Sequence, residues 1–215
     1  MPEIQHFLRE LSILAFPLLL AVTFHEVAHG YVADRLGDPT ARLAGRLTLN
    51  PLVHLDPAGT LIFLFTRMIG WAKPVPVDWR YFKNPRRDMI WVSLAGPATN
   101  FVLAAGMALC YRLLSWLLAA GHGSGLGMRV TLPLTLMAHA GVTLNLGLGL
   151  FNLIPVPPLD GSRVLAGVLP LSAARGLEHL ERYGFLILMA LILSGALDWT
   201  IYPVLRVAAA ILLGA

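Results

Sequence analysis

Long stretches without charge constrain this chain more than any other feature of its sequence. Residues 89–111 carry no Asp, Glu, Lys or Arg, and residues 7–32 and 130–154 are predominantly apolar. A helix needs about 20 predominantly apolar residues to cross a bilayer. Each of these three stretches is therefore predicted to be a membrane-spanning helix with polar loops at its ends.

The composition supports this interpretation. Apolar residues make up 57% of the 215 residues and charged residues 13%, against roughly half and a quarter in soluble domains. The formal net charge is only +4, and the basic residues are scattered through loops. The sequence lacks the clustered basic face that nucleic-acid binding requires. We expect an all-α polytopic membrane protein, with the lipid bilayer as a partner and no nucleic acid.

Two further segments complete the predicted fold. Residues 58–70 are apolar but too short to cross, which is typical of a re-entrant or interfacial segment. A fourth span is expected to begin near Tyr183, and residues 199–214 are expected either to span or to lie at the interface. We predict four to five membrane helices, one short re-entrant segment and a small extended or β-strand element. They form a single integral-membrane domain over 1–215, with a core of about 7–170 and C-terminal helices at about 183–214.

The first predicted span contains a metal-binding pattern. His25, Glu26 and His29 form the motif H-E-x-x-H within FHEVAHGY. Residues four apart share one face of a helix, so both imidazoles can bind one ion while Glu26 lies beside them. Ionisable side chains inside a span are costly and mark functional sites by default. A catalytic zinc has three protein ligands and one open position, so a third ligand must come from elsewhere.

Asp160 is the candidate third ligand. It follows three prolines in NLIPVPPLDG, at the end of the third predicted span, whereas most other acidic residues lie in loops near Arg or Lys. Prolines stiffen the chain, and Gly161 permits a close approach of the backbone. The alternative is that Asp160 is the N-cap of a helix that begins after Pro158.

Several motifs together resemble a known family. HEVAH, GPATN and NLIPVPPLDG, in this order and on three separate spans, resemble the site-2 protease family of intramembrane zinc metalloproteases. LTLNPLVHLDPAGTL and GWAKPVPV resemble its compact bacterial and archaeal branch, which lacks a PDZ domain. The resemblance implies one zinc ion per chain, held by His25, His29 and Asp160, with Glu26 as the general base. It also implies that Asn100 and Asn152 line the site and help to hold the substrate.

The implied activity is proteolysis inside the membrane. The expected enzyme hydrolyses a peptide bond within or near a transmembrane helix of a membrane-protein or signal-peptide-like substrate, with Glu26 taking a proton from the attacking water. A substrate unwound to an extended form can pair with main chain at Val75 and Val77, where prolines restrict any strand to an edge. Regulation by a peptide-binding module would need a separate partner, and the oligomeric state is open.

Two residues have competing interpretations. His54, in NPLVHLDP, resembles a family loop position and is a possible accessory residue, although a loop histidine is more often structural. Asn100 has the alternative role of a hydrogen-bonding residue between helices, near a kink at Pro97. Neither alternative is decided by the sequence.

Charge predicts the orientation in the membrane. The two histidines and Asp160 can meet only if the first and third spans end on the same side, which requires residues 58–70 to enter and return. Basic residues mark the cytoplasmic side. With this topology most basic residues share the side of the metal site: Arg35, Arg42, Arg46, Lys73, Arg80, Lys83, Arg86, Arg87, Arg163, Arg175 and Arg182. We expect a multi-pass protein of the inner (cell) membrane with the zinc site toward the cytoplasm.

Other functional classes are compatible with the motif. A zinc transporter or sensor would bind the ion without hydrolysis, but its ionisable residues would follow a path, whereas these gather at one depth. An inactive scaffold for membrane helices usually lacks a motif residue, and here every one is present. Both remain alternatives in which zinc is bound and no peptide is cleaved.

Overall fold

The computed structural model describes residues 2–66, 70–120 and 125–214. Within these ranges the chain forms nine α-helices and two short 3-10 turns. The helices are α1 (Pro2–Arg35), α2 (Thr40–Leu43), α3 (Pro57–Thr66), α4 (Pro85–Ala119), α5 (Leu126–Asn152), α6 (Asp160–Val168), α7 (Leu171–Glu181), α8 (Gly184–Leu193) and α9 (Ala196–Leu213). Four of them, α1, α4, α5 and α9, are long and apolar enough to cross a membrane. The predicted all-α polytopic membrane fold is confirmed.

The long helices form one bundle. α4 and α5 pack along each other, α1 contacts both of them, and α9 lies against α5 and α4. Small side chains occupy the contact between α4 and α5, where Ala104, Ala108 and Val142 are buried. Leu205 and Leu212 of α9 cover this cluster from outside. Small residues let helix backbones approach closely, which is how apolar helices associate in lipid.

The C-terminal segment differs in detail from the prediction. The span expected to begin near Tyr183 is divided, because Gly195 adopts a positive φ of 71° that ends α8. α8 has 10 residues, about 15 Å, and is too short to cross alone. α9 is the span. Near its end, the exposed carbonyls of Ile211 and Leu212 each accept a hydrogen bond of 2.9 Å from the guanidinium of Arg112 in α4. Residues 199–213 therefore lie along the bundle, and α9 ends beside Arg112, about two turns before the end of α4.

The predicted re-entrant segment contains α3, while its residues 67–69 lie outside the described ranges. α3 has 10 residues, too few to span. A Cβ atom on Gly59, near the start of α3, would lie only 2.3 Å from the carbonyl oxygen of Trp71. The chain therefore leaves this segment next to the point where it enters, as expected for a segment that dips in and returns.

The small β element is limited to an isolated antiparallel bridge between Leu55 and Ala72. Val75 and Val77, predicted in a short strand, follow this bridge without a strand partner among the described residues. Pro74 and Pro76 alternate with the two valines and provide no N–H group for a ladder. The extended element is therefore shorter than the valine alternation suggests.

Residues 72–78, which we call the 72–78 segment, are held by hydrogen bonds to two side chains and to the main chain of a loop. The buried guanidinium of Arg46 donates to the carbonyl of Lys73 at 2.6 Å. The N–H of Lys73 donates to the carbonyl of His54 at 2.9 Å. The buried carboxylate of Asp38 accepts from the N–H of Asp78 at 2.7 Å. These contacts fix the segment against the end of α1.

Candidate metal centre

The two histidines of the motif lie on the buried face of α1. Their side chains are one helical turn apart, and both are shielded from solvent. Asp160 is the first residue of α6 and is also buried. The structure therefore brings together the three residues that the sequence proposes as metal ligands, from the end of the first span and the end of the third.

The three side chains converge on one point. The Nε2 atoms of His25 and His29 are 3.0 Å apart, and each lies 3.2 Å from Oδ2 of Asp160. Bonds of about 2.0–2.1 Å in a tetrahedral zinc site place neighbouring ligand atoms about 3.3 Å apart. The observed triangle thus has the size of one face of a zinc tetrahedron.

Hydrogen bonds set the tautomer of both imidazoles. Nδ1 of His29 donates to the carbonyl of Val92 at 2.7 Å, because a carbonyl can only accept. Nδ1 of His25 lies 2.6 Å from Oδ1 of Asn100 and donates to it. A neutral imidazole carries one hydrogen, so both Nε2 atoms present lone pairs toward the centre. Metal-bound histidines are oriented in this way in proteins.

The centre has the chemistry that a cation requires. Oδ2 of Asp160 is buried and has no hydrogen-bond donor within the described part of the chain. Three electron-pair donors, one of them charged, face each other. The residues present therefore fit a zinc ion.

Gly96 explains why α4 can approach the centre. A Cβ atom at this position would lie 2.5 Å from Nε2 of His29 and 2.6 Å from Cε1 of His25. Such contacts are impossible without displacing the rings. The glycine of GPATN thus keeps open the space in which the two Nε2 atoms meet.

Gly161 allows the turn that presents Asp160. A Cβ atom on Gly161 would lie 2.2 Å from the carbonyl oxygen of Leu153 and 2.5 Å from that of Ile154. The close backbone approach expected for this glycine is present. The alternative interpretation of Asp160 as an N-cap is wrong, because Leu159 is the N-cap residue and the carboxylate points to the histidines.

α6 is anchored at its far end by Arg86. The guanidinium of this residue, in the first turn of α4, donates to the carbonyls of Ala166 at 3.1 Å and of Leu169. Carbonyls in the last turn of a helix have no partner within it. The contact therefore holds the helix that carries Asp160. The sequence analysis missed this role, since an Arg in a basic loop gives no sign of its partner.

Glu26 lies beside the three-residue centre and is not part of it. Its carboxylate is half-buried, and Oε2 accepts a hydrogen bond from the N–H of Val75 at 2.8 Å. The 72–78 segment therefore reaches the site through its main chain. The side chain of Val77 packs against the buried cluster of Ala33, Phe82 and Val92.

Of the remaining predicted site residues, Asn100 bonds to one of the three ligands, and Asn152 and His54 bond within their own segments. Asn100 contacts His25 but is fully buried, with its amide bonded to α1 and α5. The interhelical role left open for Asn100 thus describes its observed contacts. Asn152 donates to the carbonyl of Leu148 in its own helix at 2.9 Å. His54 is fully buried and donates from Nε2 to the carbonyl of Thr48 at 2.9 Å, within its own loop.

Comparisons with known proteins identify a matching family and relatives of this chain. Residues 128–194, which include Asp160, match the model of peptidase family M50. The chain is 39% identical over 195 residues to "Putative zinc metalloprotease YwhC" of Bacillus subtilis, covering 90% of this chain and 85% of that protein. It is 30% identical over 184 residues to "Putative zinc metalloprotease Rip2" of Mycolicibacterium smegmatis, covering 84% of this chain and 66% of that protein.

A more distant relative is archaeal. The chain is 24% identical over 175 residues to "Zinc metalloprotease MJ0392" of Methanocaldococcus jannaschii, covering 81% of this chain and 37% of that protein. No solved structure matches.

Proposed function

The chain belongs to peptidase family M50, the site-2 type of zinc metalloprotease, and from this premise we propose that it cleaves peptide bonds within or beside membrane helices. One observation carries the proposal. The buried triangle of His25, His29 and Asp160 lies within a bundle of helices that are long and apolar enough to span a membrane. A hydrolytic centre in that position acts on substrates that are themselves in the bilayer.

The ligand roles follow from the geometry. His25 and His29 would hold the ion through Nε2, and Asp160 through Oδ2. When bound, zinc supplies a Lewis acid that polarises a water molecule and the scissile carbonyl. Three protein ligands are the number that catalytic zinc sites have, with one position left open.

Glu26 is the proposed general base. Its half-buried carboxylate adjoins the ligand His25 in sequence and accepts a hydrogen bond on Oε2 only, from Val75. Oε1 has no partner in the described ranges, so it is available to take the proton from the attacking water. As the C–N bond breaks, the same carboxylic acid returns this proton to the leaving amine. The two fragments then carry a new carboxylate and a new amino group.

The substrate is proposed to be a membrane protein or a signal-peptide-like helix. A helix shields its own peptide bonds, so it must unwind near the scissile bond. The unwound stretch then needs main-chain partners. The carbonyl of Val75 and the N–H and carbonyl of Val77 have no partner among the residues described, whereas the N–H of Val75 is bonded to Glu26. We assign pairing with substrate to those three groups.

Metal content tests the ligand set without knowledge of the substrate. Wild-type protein, purified without chelator, should hold about one zinc per chain, and Asp160→Ala should lose it or bind it far more weakly. Asp198→Ala is the matched control, because Asp198 is an exposed carboxylate in the first turn of α9 and is not one of the three converging side chains. A wild type without zinc, or an Asp160→Ala variant that keeps it unchanged, would contradict the site.

A further inference from the structure

We propose that Asn145 of α5 is a positioning residue that determines which ring nitrogen of His25 is free to bind zinc. The inference rests on the zinc site of the proposed function. Asn145 makes no hydrogen bond to His25 and acts through Asn100. Its side chain is fully buried, in the middle of a span, where an amide is costly unless its donors and acceptor are paired.

The chain of hydrogen bonds begins at a backbone carbonyl. Nδ2 of Asn145 donates to the carbonyl oxygen of Gly141 at 2.9 Å. A carbonyl cannot donate, so the nitrogen side of this amide must face Gly141. Oδ1 of Asn145 is thereby turned toward α4.

Asn100 extends the chain of hydrogen bonds from Asn145 to α1. Its Nδ2 donates to Oδ1 of Asn145 at 2.9 Å and to the carbonyl of Ala21 at 3.2 Å. With both N–H groups engaged, Oδ1 of Asn100 faces His25 and accepts from Nδ1 at 2.6 Å. The hydrogen of the imidazole is thus on Nδ1, and the lone pair of Nε2 points to Asp160.

Removal of Asn145 would weaken the preference for this orientation. An asparagine amide has nearly the same shape when its oxygen and nitrogen are exchanged. In the flipped state, Oδ1 of Asn100 would face two acceptors, on Ala21 and Asn145. Without Asn145 only the longer contact to Ala21 opposes the flip. A flipped Asn100 would donate to Nδ1 of His25, which moves the ring hydrogen to Nε2, the atom needed for zinc.

The surroundings keep water from replacing Asn145. Both asparagine side chains have no exposed surface, and Nδ2 of Asn145 has the sulfur of Met107 at 3.7 Å as a further neighbour. A Cβ atom on Gly141 would lie 1.9 Å from that sulfur. α4 and α5 are therefore packed closely at this level. Among the residues that the structure describes, the two amides have as polar partners each other, the two backbone carbonyls, the imidazole of His25 and the sulfur of Met107.

The test compares Asn145→Leu, which keeps a similar volume without an acceptor, with the wild type. ¹⁵N spectra of histidine-labelled, metal-free protein report the tautomer of each ring. We expect a single Nδ1–H form of His25 in the wild type and a mixture with the Nε2–H form in the variant. Zinc should be held at least about ten-fold less tightly, as for other groups that orient a metal-bound histidine.

Thr135→Val is the control variant. Thr135 is also a buried polar residue of α5, but its hydroxyl donates to the carbonyl of Thr131 in the same helix. It should leave the His25 tautomer and the zinc affinity unchanged. If Asn145→Leu does not fold, Asn145→Ala, which also lacks the acceptor, is measured in the same way.

A second variant separates positioning from general destabilisation. Asn100→Asp presents an oxygen to Nδ1 of His25 in either orientation and places its second oxygen against the carbonyl of Ala21 in both, so the orientation no longer depends on Asn145. Asn100→Asp/Asn145→Leu should therefore recover the Nδ1–H form of His25 and bind zinc more tightly than Asn145→Leu. A purely structural role of Asn145 predicts no recovery.

The outcomes also separate this inference from the proposed function. A single Nδ1–H form of His25 in both Asn145→Leu and Asn145→Ala, with wild-type zinc affinity, would overturn the positioning role and leave the metal site intact. A wild type that binds no zinc would overturn the proposed function. The spectra of the metal-free protein would still decide whether Asn145 controls the tautomer.

Discussion

At the scale of single residues, the candidate metal centre depends on glycine at position 96, which has no side chain. Gly96 lets α4 approach two imidazoles that would collide with any Cβ atom at this position. Because the rings are themselves fixed through Nδ1 by Val92 and Asn100, they cannot move aside without breaking a buried hydrogen bond. Rigid ligands and a closely packed neighbour are what a precise site requires.

Gly96→Ala should therefore abolish tight zinc binding while the helices remain. The added methyl group displaces Nε2 of His25 or His29 by several tenths of an ångström, and we expect at least a ten-fold loss of zinc affinity. Zinc content and competition with a chelator measure it, and circular dichroism checks the helices. Gly106→Ala on the same helix is the control, because a Cβ atom there has no neighbour within 4 Å.

Glu26→Gln should separate binding from catalysis. Glutamine keeps the size of the side chain and can still accept from the N–H of Val75, but it cannot take a proton. Zinc content should equal that of the wild type, while cleavage of a single-span substrate falls about 10²–10⁴-fold. Glu178→Gln, on the exposed surface of α7, should cleave normally. Full activity of Glu26→Gln would exclude Glu26 as the base.

The sequence predicted the three side chains that converge better than the groups that orient them. The spacing of His25 and His29 places two imidazoles on one helical face, whichever fold surrounds them. Asp160 was found because a carboxylate after three prolines is unusual at the end of a span. The contact between Asn100 and Asn145 joins residues 45 positions apart, and no local pattern encodes such a pair. The one available signal was an uncharged polar residue within an apolar run.

At the scale of elements, the apolar pattern located the spans but not their ends. The second span was expected at 89–111, whereas α4 extends from Pro85 to Ala119. Apolarity marks only the part of a helix in the bilayer, while helix ends depend on capping and on tertiary contacts. The division between α8 and α9 was missed for a related reason. The glycine that ends α8 lies within an apolar run that looks continuous.

The short helix α6 is a second element whose placement determines the site. It carries Asp160 at one end and is bonded to Arg86 at the other. Arg86→Met should free the last turn of α6 and loosen the position of Asp160. The two hydrogen bonds from Arg86 lie at an exposed position, where such charged contacts contribute about 1 kcal/mol, so zinc affinity should fall about five-fold.

Arg87→Met is the matched control for this element. Arg87 is adjacent and exposed, and it makes no hydrogen bond to any residue that the structure describes. Loss of positive charge near the site is the same in both variants. Equal effects of Arg86→Met and Arg87→Met on zinc affinity would show that net charge, and not the bond to α6, is responsible.

At the scale of the whole molecule, the topology follows from the ligands. α1 and α5 both end near the centre, and α4 begins near it, so an even number of crossings must lie between the end of α1 and the end of α5. α4 supplies one crossing and α5 returns. The segment that contains α3 must then enter and leave on one side, which agrees with the contact between Gly59 and Trp71. α9 ends beside Arg112, which places the end of α9 on the opposite side.

Thiol labelling in intact cells tests this topology and the proposed orientation together. In a Cys110→Ser background, Arg42→Cys and Lys83→Cys flank the α3 segment, and Arg129→Cys lies near the start of α5. A membrane-impermeant maleimide added outside should modify only Arg129→Cys, while the other two react after the membrane is opened. The excess of basic residues on the side of Arg42 and Lys83 predicts that this side is cytoplasmic.

If Arg42→Cys and Lys83→Cys react from opposite sides, the α3 segment crosses the membrane, and Asp160 cannot reach the histidines of the same chain. If both react from outside and Arg129→Cys does not, the fold stands and the orientation is reversed.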